Sequence, residues 1–348
     1  MFELYGTPFL MAFFLGVILL ALTLAFLGKY SFGRIKERHL HKKNVSRLGG
    51  VALIFSFAGT LFWMEKLVFS QRLWAIVFVL LAILIFGIWD DFQELHWKTQ
   101  LFFQISVVMF AYIMGVRIDY VSNPFGGVFL LNSPQLIFIA FLLVVLWVAL
   151  IMNSINWVDG VDGLSGGITL IGMGVIFVLS LKPEVNQPPV GIITAAMMGS
   201  VLAFLIFNFN PARIFAGTGG SMFMGFMLSV LAIFAGAKIA TTLLVIAIPV
   251  IDAIWVIFQR IKFGKSVFEA DNFHLHHKLS VLGWSHQKIC WFFYALTGTV
   301  GFIALNTGVF GKVMTMAILL VMMGIIFFWV QRKIEKLTEM KKISYAKK

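Results

Sequence analysis

The stretch Asn153-Ser-Ile-Asn-Trp-Val-Asp-Gly-Val-Asp-Gly163 decides how the rest of the chain is arranged. It places Asp159 and Asp162 between two runs, 135–152 and 164–181, that contain no charged residue. Each run approaches the roughly 20 residues that a helix needs to cross a bilayer, and a carboxylate is costly at the bilayer centre. We therefore expect the stretch at a membrane face. It could be a polar hairpin that only turns the chain, but two Asp-Gly pairs with two asparagines favour a metal-phosphate site.

The composition is that of a polytopic membrane protein. Of the 348 residues, 60% are hydrophobic and only 12% are charged, whereas soluble chains carry about 25% charged residues. The net charge of +12 indicates contact with anionic membrane lipid rather than a nucleic-acid partner. The single cysteine, Cys290, excludes an intramolecular disulfide and a thiolate metal cluster. We expect one integral membrane domain over residues 1–348, with no second domain.

The apolar runs predict an all-α, polytopic transmembrane helical bundle of about eleven spans. Polar or Gly- and Pro-rich breaks separate the spans, and the segment 117–134 is expected to form a small hairpin. The predicted spans are Phe9–Leu27, Gly49–Met64, Leu73–Trp89, Leu101–Val116, Gln135–Met152, Gly163–Leu181, Val190–Phe207, Gly220–Ala237, Ile239–Phe258, Ile289–Asn306 and Val313–Val330.

The distribution of Lys and Arg predicts the orientation of these spans. With the N-terminus outside, 21 of the 27 basic residues fall in segments on the cytoplasmic side. Such an excess is typical of cytoplasmic loops. We therefore expect a multi-pass protein of the cytoplasmic (inner) membrane with a cytoplasmic C-terminus.

Five polar clusters fall on the predicted cytoplasmic side. They combine acids, amides, glycines and histidines, and their convergence on one face predicts a site there. The clusters are His41–Gly50, Asp90–Glu94 with Lys98, Asn153–Gly163, Asn208–Ser221 and Asp271–His277.

Each cluster has a chemical part to play in binding a nucleotide diphosphate. Mg²⁺ takes one or two carboxylates with phosphate oxygens and water, and the four aspartates Asp90, Asp91, Asp159 and Asp162 could supply the carboxylates. The stretch Gly217–Ser221 offers backbone N–H groups to an anion at the start of a span. Lys43, Arg47 and Arg213 could neutralise phosphates, and Phe215 could stack on a base.

Simpler interpretations stay open for these residues. The Asp90-Asp91 pair could be a solvated helix cap, and basic residues of the first loop and the tail could serve topology or lipid contact alone. The histidines could form a metal site. However, His276 and His277 are neighbours and face different ways on a regular element, which favours phosphate contacts over zinc.

From His41 to His277 the chain resembles the polyprenyl-phosphate N-acetylhexosamine-1-phosphate transferases. Asp90-Asp91 is similar to the family's acidic pair, and the 153–163 stretch to its Asn-rich acidic loop. Asn208, Pro211-Ala212 and Phe215 resemble its uridine-binding segment. The His274-Leu-His276-His277 sequence, with Asp271 upstream, is similar to the branch that uses UDP-N-acetylglucosamine. That branch has eleven spans, an outer N-terminus and an inner C-terminus.

The resemblance implies transfer of an N-acetylhexosamine 1-phosphate, N-acetylglucosamine 1-phosphate above all, from a UDP-sugar to undecaprenyl (polyprenyl) phosphate. UMP is released, as the first membrane step of cell-envelope polysaccharide assembly, and the polymer, such as teichoic acid or lipopolysaccharide, stays open. Direct attack by the lipid phosphate is preferred over a covalent aspartyl intermediate. The cofactor implied is Mg²⁺, with Mn²⁺ as the alternative, and the oligomeric state is open, a homodimer included.

The site residues expected on these grounds form three sets. The catalytic set is Asp90, Asp91, Asp159, Asp162, His276 and His277. The substrate-binding set is Lys43, Arg47, Asn153, Asn156, Asn208, Arg213, Phe215, Gly217, Ser221 and His274. The metal-ligand set is Asp90, Asp91 and Asp159.

Two positions depart from the family's pattern. Thr218 stands where relatives have a metal-binding aspartate, and Gln100 where a lysine is common. A catalytically impaired homologue that binds nucleotide or lipid is therefore one alternative. A transporter of nucleotide sugars or lipid phosphates is another, but it would place ionisable residues near the membrane midplane and carry an internal repeat. The acids instead cluster at span ends.

Overall fold

The computed structural model describes residues 1–27, 45–123, 125–236, 239–264, 266 and 273–346, with side chains up to residue 340. Over these residues the chain is an all-α bundle. A π-helical turn, Phe2–Gly6, precedes the first helix, and a 3₁₀ turn, Pro134–Leu136, precedes the fifth. The α-helices are α1 Thr7–Leu27, α2 Gly49–Trp63, α3 Gln71–Gln93, α4 Trp97–Ile113, α5 Ile137–Val158, α6 Leu164–Leu181, α7 Pro188–Asn208, α8 Gly217–Phe234, α9 Ile239–Val245, α10 Ala247–Lys262, α11 Leu275–Val281, α12 His286–Asn306 and α13 Val309–Ala346.

Within the described ranges, eight helices are long and apolar enough to cross a membrane. The pair α9 and α10 would make a ninth, but its two parts are bent by 74° at the break between them. The helix α2 is apolar and shorter, and α4 has 17 residues. Each of the eleven predicted spans overlaps one of these helices or the bent pair. The polytopic all-α class is thus confirmed, whereas the count of eleven crossings stays a prediction.

The predicted hairpin is present between α4 and α5. Strands β1 (Tyr120–Ser122) and β2 (Val128–Leu130) pair antiparallel, with Val121 opposite Phe129. The hydroxyl of Tyr120 donates a hydrogen bond to the carbonyl of Gly236 at 2.6 Å, which ties the hairpin to the end of α8. The hairpin therefore lies at the opposite end of α8 from Gly217.

The helix α8 is the centre of the bundle. Every residue from Gly219 to Ile233 is buried, as expected of a helix that is apolar on all sides. The helices α2, α3, α5 and α6 pack around it. The indole N–H of Trp147 on α5 also donates to the carbonyl of Ser229 at 3.0 Å. The helix α8 is consequently held on several sides by the surrounding helices.

Glycines allow α2 and α3 to approach the start of α8 closely. A Cβ added to Gly87 of α3 would fall 2.2 Å from Cα of Gly219, and one added to Gly50 of α2 would fall 2.4 Å from the nitrogen of Gly220. Small residues permit such close backbone approach in membrane bundles. The acidic end of α3 is thereby brought against the N-terminus of α8.

Candidate active site

The acidic pair at the end of α3 lies against Thr218. The Thr218 hydroxyl donates to Oδ2 of Asp90 at 2.7 Å, and its backbone N–H reaches both carboxylate oxygens of Asp91 at 3.1 and 3.2 Å. Oδ1 of Asp90 accepts from Nε2 of Gln100 at 2.8 Å and from the backbone N–H of Leu95 at 3.0 Å. Both carboxyl groups are buried. The pair is a built part of the interior rather than a solvated cap.

Arg47 reaches the acidic pair because its segment pairs with the end of the loop that precedes α8. Ser46 forms a parallel bridge with Ile214, and the backbone N–H of Phe215 donates to the carbonyl of Ser46 at 2.8 Å. The guanidinium of Arg47 then lies 4.0 Å from Oδ1 of Asp91. One cation is thus placed beside the carboxylates.

Asp159 joins this cluster from the end of α5. Its Oδ1 accepts a hydrogen bond from the hydroxyl of Ser165, and it lies close enough to Asp91 and Arg47 for their charges to interact with its own. Burial raises the pKa of Asp159 from its ordinary value of 3.8 to about 7. The charge of Asp91 adds to this rise, while the Ser165 hydrogen bond and the charge of Arg47 oppose it.

Asp162 is turned to a different loop, the one between α7 and α8. Its Oδ2 accepts from Nδ2 of Asn210 at 2.9 Å and from the backbone N–H of Ala212 at 3.0 Å. Nδ1 of His286 lies 3.6 Å from the same oxygen. In this arrangement Asp162 shapes the loop that carries Arg213.

Two asparagines predicted to bind substrate have internal partners. Oδ1 of Asn208 accepts from the N–H of Gly163 at 2.9 Å, and its Nδ2 donates to the carbonyl of Ile214 at 2.9 Å. Nδ2 of Asn153 donates to Oε1 of Gln104 at 2.8 Å. These contacts brace the walls of the site, Asn208 between two loops and Asn153 between α4 and α5.

Asn156 and Ser221 connect the acidic stretch to α8. The Ser221 hydroxyl lies 3.0 Å from Oδ1 of Asn156, to which it can donate, and also near the carbonyl of Gly217 at 3.1 Å. Gly217 has φ +68°, and a Cβ there would fall 2.3 Å from Oδ2 of Asp91. A side chain at position 217 would therefore displace the acidic pair.

The histidine segment is held by a buried carboxylate. Oδ2 of Asp252 lies 2.9 Å from Nδ1 of His274, and Oδ1 of Asp252 accepts from the backbone N–H of Leu275 at 2.8 Å. The ring of His274 stacks on that of His276, with 5.6 Å between the ring centroids, and the centroids of the His276 and His277 rings are 4.2 Å apart. Asp252 fixes the first of these three rings.

The histidines face the acidic stretch at Gly160. A Cβ added there would fall 3.1 Å from Nε2 of His276 and 3.5 Å from the ring of His277. His276 is fully buried, and neither ring nitrogen has a hydrogen-bond partner within the described part of the chain. Burial, with the nearby charges of His277, His274 and His286, lowers the pKa of His276 well below 6.5. His276 is therefore a neutral imidazole at pH 7.

The site also depends on one face of α12 that the sequence analysis overlooked. The Cys290 thiol lies 3.1 Å from the carbonyl of Asp162, and the hydroxyl of Tyr294 donates to the carbonyl of Gly163 at 2.5 Å. With His286, these residues recur every four positions, so they share one helical face. That spacing was visible in the sequence, but nothing in it indicated that this face meets the acidic stretch.

The three aspartates expected to hold a metal have different surroundings. Across the described residues, no three His, Cys, Asp or Glu side chains form a group that could hold a metal ion. Asp90 is hydrogen-bonded to Gln100 and Thr218, and the expected set of three ligands stays a prediction. Asp91 and Asp159 are two carboxylates whose charges interact. That donor set fits Mg²⁺, which takes one or two carboxylates and completes its octahedron with phosphate oxygens and water.

The remaining predicted residues differ in how the structure places them. Arg213 is exposed and Phe215 half-buried, both on the loop before α8. Lys43 and Asp271 lie outside the described residues. Three of the five predicted clusters therefore meet at one end of the bundle. The described parts of the other two, residues 45–50 and 273–277, do so as well.

The chain is similar in sequence to proteins of known family. Residues 73–236 match the model of the family described as glycosyl transferase family 4. The chain is 31% identical to the probable undecaprenyl-phosphate N-acetylglucosaminyl 1-phosphate transferase of Bacillus subtilis (strain 168), over 72% of this chain and 70% of that protein.

The chain belongs to glycosyl transferase family 4. It is also similar to a decaprenyl-phosphate N-acetylglucosaminephosphotransferase of Mycobacterium leprae, at 31% identity over 82% of this chain and 79% of that one. A phospho-N-acetylmuramoyl-pentapeptide-transferase of Limosilactobacillus reuteri is 29% identical over 77% of this chain and 85% of that protein. This family member is a transferase and a multi-pass membrane protein.

Proposed function

We propose that the chain transfers N-acetylglucosamine 1-phosphate from UDP-N-acetylglucosamine to a polyprenyl phosphate and releases UMP. The observation that carries this is the meeting of Asp91, Arg47 and Asp159 at the N-terminus of α8. A pyrophosphate needs cations, and a metal bound with it needs carboxylates. This one end of the bundle supplies these groups together.

In this proposal the chain positions the pyrophosphate through groups from three segments. Arg47, beside Asp91, and exposed Arg213, on the loop before α8, bind phosphate oxygens. His276 and His277, above Gly160, contact the same phosphates from the opposite loop. Asp91 and Asp159 would hold Mg²⁺, which when bound would neutralise charge on the phosphates.

The reaction itself forms one P–O bond and breaks another. An oxygen of the lipid phosphate attacks the β-phosphorus, the bond from that phosphorus to the bridging oxygen breaks, and UMP leaves with that oxygen. A phosphate monoester has a second pKa near 6 and is largely dianionic at neutral pH. A strong general base is therefore not required, and alignment with charge neutralisation suffices.

The site's location suits a water-soluble donor and a lipid acceptor. The 21 basic residues on the proposed inner side support an outer N-terminus and an active site at the cytoplasmic face of the inner membrane. Exposed apolar side chains along the spans, such as Phe102 and Ile113, face the lipid. A prenyl tail can therefore stay in the bilayer while its phosphate reaches the site.

The test is an assay of the purified protein in detergent with UDP-N-acetylglucosamine, undecaprenyl phosphate and Mg²⁺. The expected result is release of UMP that depends on the lipid and stops with chelator. The variant D159N should lower turnover by about 100-fold or more, because it removes a carboxylate from the cluster. The matched variant D119N, on the exposed hairpin arm, should leave turnover unchanged.

A second candidate function rests on Thr218. Its hydroxyl is an uncharged group at the centre of the acidic cluster, bound to Asp90 and close to Asp91. A protein that binds the nucleotide without turning it over would keep the rest of the site. Nucleotide binding without UMP release, and turnover restored by T218D, would favour this candidate.

A further inference from the structure

Asp90 is enclosed by neutral donors from two different helices. Gln100 of α4 donates to one carboxylate oxygen at 2.8 Å, and Thr218 of α8 donates to the other at 2.7 Å. The backbone N–H of Leu95 adds a third hydrogen bond at 3.0 Å. Only 7% of Asp90 is exposed. Both oxygens are therefore used by the protein itself.

Asp91 has a different environment. All its hydrogen-bond donors shown here belong to Thr218, and its charge interacts with Arg47 and with Asp159. The two adjacent carboxylates thus have unlike surroundings: one is bracketed by neutral side chains, the other lies within the charged cluster. Thr218 donates hydrogen bonds to both.

We propose that Gln100 and Thr218 are a coupled pair of positioning residues that act on the reaction through Asp90. Each holds one oxygen of Asp90, and together they fix the end of α3 so that Asp91 faces Asp159. Neither touches the substrate in this arrangement. The inference rests on the proposed function, because turnover is its first readout.

Coupling follows from the shared partner. A hydrogen bond to a charged group is worth about 1.5–3 kcal/mol, or roughly 10- to 150-fold. If both bonds serve to hold one carboxylate, loss of either already frees it, and loss of the second adds little. The two positions are also coupled through charge. A carboxylate introduced at position 218 would repel Asp90, and a cation introduced at position 100 would offset that repulsion.

The first experiment is a double-mutant cycle on kcat and KM. The variants Q100L and T218V should each lower kcat by about 10-fold or more, with KM for UDP-N-acetylglucosamine within about 3-fold of wild type. The fold-loss of kcat in the double variant should be much smaller than the product of the two single losses. The conservative variant T218S keeps the hydroxyl and should retain kcat within about 3-fold. Multiplicative losses, or a tenfold rise in KM, would overturn the proposal.

The second experiment exchanges the neutral pair for a charged one. T218D alone adds a third carboxylate beside Asp90 and Asp91, and Q100K alone adds an unmatched ammonium, so both should be impaired. The combined Q100K/T218D should exceed either single variant by about 10-fold in kcat. A double variant no better than the singles would contradict the coupling.

Thermal unfolding of the same variants separates this inference from the proposed function. If the wild-type protein releases no UMP, the proposed function fails, and the coupling of Gln100 and Thr218 is then tested by the unfolding midpoints alone. The combined change in midpoint of Q100L/T218V should then differ from the sum of the single changes, because both contacts meet on one carboxylate. Additive midpoints would overturn the coupling.

Discussion

The ring of Tyr294 lies directly against Gly167: a Cβ added to Gly167 would fall 2.0 Å from the ring carbon Cζ. The Tyr294 hydroxyl also donates to the carbonyl of Gly163. Through these contacts α12 supports the first turn of α6, immediately after the acidic stretch. The substrate site therefore depends on a packing contact that lies outside it.

We predict that G167A destabilises the protein by about 1–3 kcal/mol, because the added methyl group overpacks against an aromatic ring. The control is G174A on the same helix, where nothing described lies within 4 Å of an added Cβ. Thermal unfolding in detergent measures both. Equal midpoints for G167A and G174A would show that Tyr294 does not rest on Gly167.

A second prediction concerns the loop between α7 and α8. D162N removes a charged acceptor from Asn210 and from the N–H of Ala212. Each such bond is worth about 1.5–3 kcal/mol, so UMP release should fall by about 10-fold or more. A raised KM for the nucleotide is expected, since the loop carries Arg213. D162N with wild-type KM and kcat would rule out this role for Asp162.

A third prediction concerns the buried carboxylate beneath the histidines. In D252N the amide oxygen can satisfy only one of the two donors that Asp252 now serves, Nδ1 of His274 or the N–H of Leu275. We expect kcat to fall by about 10-fold. The matched control is E335Q on the exposed part of α13, which should behave as wild type. Unchanged kcat in D252N would mean that the orientation of His274 is immaterial.

A fourth prediction concerns pH. The pKa of Asp159, about 7 in the folded protein, exceeds its ordinary value of 3.8. The folded protein therefore binds more protons than the unfolded chain between about pH 4 and pH 7, and this contribution to stability is lost as pH rises through that window. With chelator present, the unfolding midpoint of the wild type should decline by several degrees relative to that of D159N from pH 5 to pH 8. The lowered pKa of His276 changes the stability of both proteins in the opposite direction, so the comparison isolates Asp159; the same pH dependence in the two proteins would refute the prediction.

Much of the fold was predictable because lipid imposes its own pattern. Long uncharged runs such as 135–152 must be helices, since backbone groups in a bilayer need internal partners. The hairpin at 120–130 was predicted from the Asn-Pro and Gly-Gly pairs, which favour a turn, in a segment where polar and apolar residues otherwise alternate. The 74° bend between α9 and α10 had a signal that the straight span predicted over 239–258 did not use: Pro249 has no N–H for the carbonyl of Val245, and its ring crowds the turn that precedes it.

The membership of the site was predictable in part. Acids, amides and histidines between apolar runs identified the loops, and Thr218 and Gln100 were noticed as departures. The different contacts that the individual aspartates make were not predictable. Asp90, Asp91 and Asp162 have the same chemistry in sequence, and only their contacts with Gln100, Thr218 and Asn210 distinguish them. Such contacts join residues far apart in the chain, and sequence spacing contains no information on them.

The most direct test of the central claim is the fate of the β-phosphorus. UDP-N-acetylglucosamine labelled with ³²P at the β-phosphate is incubated with the purified protein, undecaprenyl phosphate and Mg²⁺, and the nucleotide and lipid products are separated. Transfer of the sugar 1-phosphate predicts that the label moves to the lipid fraction and that unlabelled UMP is released. Label that stays on released UDP, or no labelled lipid at all, would contradict it.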